Sequence, residues 1–149
     1  MALVRIQDLA AAGAITGSEL VEIEQGGVSV QTTTGALAGA TRSVVTTLTP
    51  VAGVITLDWN LGDYFTVAPT ANITSMIFTN LPASPIAITM SLLFTQDTTP
   101  RTFAFPAAFD WPGGTLGVVS TGSGDKDLII FTSFNQGTTW LANIANDYA

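Results

Sequence analysis

The sequence predicts a mainly β fold: an antiparallel, jelly-roll-like β-sandwich with a small N-terminal anchoring arm made of a short helix and a hairpin. Three observations lead there. Over the last hundred residues, short segments rich in Val, Ile, Thr, Phe or Trp recur between Gly, Pro, Asn and Asp. Many short strands separated by such turns indicate a sandwich or barrel, not alternating βαβ units. A chain of 149 residues that is 47% hydrophobic can also bury a core without a disulfide or metal staple.

The elements follow in chain order. Leu3, Ile6 and Leu9 lie at helical spacing in an amphipathic segment, Val4 to Ala12, which Gly13 stops. A hairpin comes next. Val21 and Ile23 alternate with Glu22 and Glu24, and Val28 and Val30 alternate with Ser29 and Gln31. Between them Gly26-Gly27 permits the positive φ angles of a tight turn. Thr33 or Thr34 then caps a short helix through Ala40. This module, residues 1–42, is too short to bury a core and is expected to anchor the chain to something else.

Residues 41–52, TRSVVTTLTPVA, read as an extended connector that can supply an edge strand. Within the body, residues 43–149, strands are expected at Val54–Trp59, Tyr64–Ala68, Ile73–Asn80, Ile86–Thr95, Thr102–Phe105, Asp127–Phe134 and Thr139–Ile144. The abundance of Thr suits half-buried strands with cross-strand hydroxyl contacts. No tandem repeat is visible, which leaves solenoid and propeller folds without support.

Composition narrows the function. Only 10% of residues are charged, against about 25% in ordinary soluble domains. High hydrophobicity excludes intrinsic disorder. The uncharged stretch Ala71 to Gln96 is broken by Asn72, Asn80, Pro82 and Pro85, so it cannot be a spanning helix. Arg5 and Asp8 interrupt what would be a signal peptide. Such a surface is expected to finish inside an assembly, where protein neighbours replace water.

The chain contains no Cys and no His, which removes thiol nucleophiles, the usual zinc and copper sites and Ser-His-Asp triads. Its net charge is −7, and the four basic residues, Arg5, Arg42, Arg101 and Lys126, are scattered. With no basic stripe to neutralise phosphates, no nucleic-acid partner is expected. No Glu lies beyond Glu24. The candidates for a glycosidase pair in the body are Asp58, Asp63, Asp97, Asp110, Asp125 and Asp127, most of them at turns. Asp125-Lys126-Asp127 lacks the ligand series of a calcium loop and reads as a hairpin turn. Trp59 and Trp140 fall in strands and are expected to be buried. Trp111, beside Asp110 in a loop, is the aromatic expected to be exposed and able to contact a partner. No enzyme activity, cofactor, metal or membrane contact is expected.

Residues 7–38 resemble a short module of tailed-bacteriophage virion proteins, including tail fibres and head fibres. The resemblance rests on Thr16, Gly17, Glu19, Leu20 and Val21, then Gln25, Gly26 and Gly27, then Thr32, Thr33 and Thr34. Most of residues 50–149 resembles a β domain of phage fibre and head-decoration proteins, on Gly53, Ile55, Leu57 and Asp58 and on Gly137, Thr138 and Trp140. The turn Asn135-Gln136-Gly137 departs from the Asp-Gly-Gly pattern common in that family. The resemblance implies a non-enzymatic virion protein, often trimeric, whose partners are further copies and the major capsid protein or fibre and tail proteins. Capsid decoration is the leading expectation, because no shaft repeats separate arm from body. A short tail fibre or adaptor contacting host glycans is the second, and a free carbohydrate-binding module the third. The expected assembly hairpin comprises Glu19, Leu20, Val21, Ile23, Gln25, Gly26, Gly27, Val28 and Val30, and the expected contact loop comprises Asp110 and Trp111.

Overall fold

The computed structural model describes residues 20–33, 44–83 and 86–148. The chain divides between Arg42 and Ser43 into two units. The expected helical segments at Val4–Ala12 and Thr34–Ala40, and Glu19, lie outside the described residues.

In the first unit, β1 (Leu20–Gln25) and β2 (Val28–Thr33) form an antiparallel ladder from Leu20↔Thr33 to Gln25↔Val28. The second unit holds two sheets. The larger has six strands in the order β3 (Val45–Thr47), β5 (Tyr64–Val67), β7 (Ile88–Thr95), β9 (Lys126–Ser133), β10 (Trp140–Tyr148) and β8 (Phe109–Asp110). The smaller pairs β4 (Val54–Asp58) with β6 (Ser75–Thr79). Among the described residues, helical structure is limited to the 3-10 turns Trp59–Leu61 and Pro112–Gly114.

The mainly β, sandwich-like class is the one expected from the sequence. Its strand pairing is mixed, which corrects the antiparallel, jelly-roll pattern. Strands β7, β9 and β10 pair antiparallel, whereas β3–β5, β5–β7, β4–β6 and β10–β8 pair parallel. The cause is the route of the chain. From β3 to β7 each strand is followed by one in the other sheet, so the chain re-enters each sheet in its original direction. A strand of the opposite sheet serves as the crossover that parallel neighbours require. Parallel strands covered on both faces read as continuous apolar runs. Here one face of β5 and β4 carries Thr66 or Thr56, and the resulting alternation looks antiparallel.

The expected strands at 54–59, 64–68, 73–80, 86–95, 127–134 and 139–144 are present with shifted ends, and the 41–52 connector supplies edge strand β3. Thr102–Phe105 is reduced to a single parallel bridge, Phe103 to Ile73. The two-residue β8 is too short to leave a sequence signature.

The core lies between the sheets. Ile55 and Leu57 on β4 and Met76 on β6 face Phe65, Leu92, Phe94, Ile129, Phe131 and Trp140 of the larger sheet. Phe78 stacks on Trp140 with ring centroids 4.5 Å apart and meets Phe131 edge-on at 5.6 Å, tying the two layers together. Aromatic contacts of this kind add about 0.5–1.5 kcal/mol each beyond area burial.

Candidate assembly surfaces

The hairpin has the turn its sequence demands. Gly26 and Gly27 take φ of +61° and +79°, the pair of positive values that a type I′ turn needs, and space for a Cβ is open at both. The demand is therefore on the backbone alone. Of the expected assembly residues, Leu20, Val21, Ile23, Gln25, Val28 and Val30 lie on the two paired strands. Leu20 is 66% exposed and Val28 61% exposed, while Val21 is half-buried.

The expected contact loop is arranged otherwise. Asp110 is exposed on β8, but Trp111 is half-buried, which corrects its reading as the exposed aromatic. Its ring packs edge-on to Phe105 at 4.9 Å and against Phe109 at 5.9 Å. It also lies over Gly117, where a Cβ would come within 2.5 Å of the ring. A glycine six residues downstream thus makes room for the indole, a relation that no local pattern announces. The indole Nε1 is buried with no hydrogen-bond partner among the described residues. Trp140 is fully buried, as expected, and Trp59 is partly buried against the core.

The carboxylates hold structure. Asp58 caps the 3-10 turn through the Asn60 N–H at 2.9 Å and accepts from Asn80 Nδ2 at 2.8 Å. Asp97 pairs with Arg101, and that guanidinium, then the Thr98 N–H, holds its carboxyl below the usual aspartate range. Asp125 accepts the Gly122 N–H at 2.7 Å and closes a turn. Asp127 is fully buried. It accepts from Ser120 N–H and Oγ at 2.7 and 2.6 Å, from Asn146 Nδ2 at 3.0 Å and from the Asp147 N–H at 3.2 Å. Gln96, also buried, accepts the Asp97 and Arg101 N–H groups and donates to the Arg101 and Ser120 carbonyls. Among the described residues no group of three acidic side chains could hold a metal ion, and no helix is long and apolar enough to cross a membrane. A groove of about 640 Å³ between residues 47–53 and 68–74 is lined by Thr, Asn and small apolar groups and offers no titratable side chain.

No protein-family model, curated protein or solved structure matches this chain. Geometry alone therefore points to the surface that pattern reading overlooked.

That surface is the outward face of the six-stranded sheet. Burial alternates along β7 and β9, so Ser91, Leu93, Leu128, Ile130 and Thr132 point away from the core. Registry sets them beside Val45 and Tyr64 on one side and Leu141, Asn143 and Ala145 on the other. Val45, Tyr64, Ile130 and Leu141 are all exposed, and Phe134, just beyond β9, is 75% exposed. Hydroxyl pairs Thr47–Thr66 and Thr89–Thr132, at 3.1 and 3.0 Å, supply polarity without charge. A signal was present: Leu92-Leu93-Phe94 and Leu128-Ile129-Ile130-Phe131 are continuous apolar runs, the pattern of strands covered on both faces.

Proposed function

We propose that this protein is a non-enzymatic structural subunit of a tailed-phage virion, a capsid decoration protein that binds the particle through residues 1–42 and oligomerises through residues 43–149. The observation that carries the reading is the division of the chain into two units of unlike character. The body has a closed core of its own, whereas the hairpin displays Leu20 and Val28 to solvent on a two-stranded ladder. A two-stranded hairpin is marginal alone in water and gains by docking. The resemblance of residues 7–38 and 50–149 to head-decoration and fibre modules supports the virion setting and favours a trimer. Engagement of Asp58, Asp97, Asp125 and Asp127 in turns and loop ties supports a role without catalysis. With Trp111 packed inward, the glycan-contacting tail-fibre reading loses the feature that distinguished it.

Mixing the protein with capsids stripped of their decoration tests the reading. Saturable, stoichiometric binding is expected, and deletion of residues 1–40 is expected to abolish it while the body stays folded. Normal loading of the truncated chain would remove the anchor assignment.

A further inference from the structure

We infer that the outward face of the six-stranded sheet is covered by a second copy of this chain. This rests on the reading of the protein as an assembling subunit and names the surface by which it assembles.

The face is unlike the rest of the molecule in charge. Lys126 stands at one end of it, on the first residue of β9, and Asp110 at the other, on β8 beside Leu141. Between them, up to the bulge after Ala145, the outward residues of the paired strands are Thr, Ser, Asn, Ala or larger apolar side chains, and the exposed Asp147 lies past the bulge at the Lys126 end. The middle of the face is thus uncharged in a chain of net charge −7. Two such chains repel through most approaches, and least through a surface that carries no net charge. A strongly charged partner, by contrast, would bury its own ions against this face with nothing to pair them.

Size and edges point the same way. Six strands span about 24 Å across, and the outward rows from Thr89 to Thr95 run about 20 Å along. Two copies packed through that surface hide on the order of 1,000 Å² in total, the threshold for a specific interface. Growth by strand addition is disfavoured, because the edge strands β3 and β8 have only three and two residues. Contact through the face needs no backbone pairing. The exposed aliphatic side chains and Tyr64 supply the apolar centre that an interface between copies requires.

The test uses the full-length chain, with mass read by sedimentation velocity and native mass spectrometry over a wide range of concentration. The unaltered chain is expected to form a multimer. Ile130→Asp and Leu141→Asp, both at exposed positions, are expected to reduce it to the 15.4 kDa monomer while circular dichroism stays unchanged. Ile77→Asp, exposed on the smaller sheet, is expected to leave the multimer intact. A monomeric unaltered chain, or face variants that keep the multimer, would overturn the inference, as would equal sensitivity at Ile77. The absence of native cysteine gives a second readout that does not depend on tolerance of a charge. A short bis-maleimide is expected to join Ile130→Cys chains to one another but not Ile77→Cys chains, and failure to join the former counts against the proposal. Should Ile130→Asp abolish particle binding by a chain that is monomeric in solution, the face docks the particle instead and the inference is wrong. Multimers lost in the face variants but no binding to any capsid would sink the virion reading and leave this inference standing.

Discussion

The carboxylate of Asp127 shows how single side chains organise one end of the body. β10 changes register between Ala145 and Tyr148, and Asp147 adopts φ of +64°, which turns the Asn146 side chain and the Asp147 N–H toward Asp127. The bulge therefore serves the buried side chain of Asp127. Asp127→Ala strands four donors and is expected to cost about 3–5 kcal/mol in urea unfolding. Asp127→Asn, which keeps one acceptor, is expected to cost less. Gly117→Ala drives a methyl into the Trp111 ring and is expected to cost about 1–3 kcal/mol, with a shift in tryptophan emission as the indole moves. The Asp97–Arg101 pair carries a pH signature. A carboxyl whose folded-state pKa is depressed adds stability above its unfolded pKa and loses that stability as pH falls through the folded value. The stability gap between the unaltered chain and Asp97→Asn is thus expected at neutral pH and should close in acid. A gap that persists or widens in acid would show that the pair contributes nothing. The first two relations are not legible in the sequence, because side-chain contacts that only the fold makes define them. For the third, the hint is the spacing of Asp97 and Arg101, common to many turns.

At the scale of elements, the hairpin was the most legible part. Alternation of Val21 and Ile23 with glutamates, the double glycine and the second alternating run specify both strands and the register between them. Gly26→Val and Gly27→Val place a β-branched residue at positive φ, at about 1–2 kcal/mol each. Both are expected to weaken binding to capsids while leaving the thermal transition of the body unchanged; a lowered transition instead would show that the hairpin is needed by the body. Strands β4 to β7, β9 and β10 were also legible, since each announces itself by residue type and flanking turns. Their ends shifted by one to a few residues because hydrogen bonding with a neighbour, not propensity, decides where a strand stops. β8 escaped notice for the same reason. Phe109 and Asp110 are a strand only because Trp140 and Leu141 lie alongside.

For the whole molecule, sparse charge and exposed apolar sheet surface become one statement about assembly. An interface centred on the uncharged middle of that face, between chains of net charge −7, is expected to strengthen with added salt, because screening reduces the repulsion between copies more than it weakens an apolar contact. Sedimentation across a sodium chloride series checks this; dissociation with rising salt would mean that ion pairs hold the assembly. Sequence by itself determined that the chain is mainly β, where most strands lie, that residues 20–33 form a hairpin, and that cysteine and histidine chemistry is absent. Those properties are local or compositional, and each can be read within a few residues. Tertiary structure alone decided that the chain winds between two sheets with parallel neighbours, that Trp111 lies inward over Gly117, and that two polar side chains, Gln96 and Asp127, knit the loops at one end. It also decided which of the two apolar sides of β7 and β9 forms the core and which stays open. The reason is the two-residue period of a strand. It tells which side chains share a face, but the direction of the neighbouring strand and the identity of what covers each face belong to residues far away in the chain.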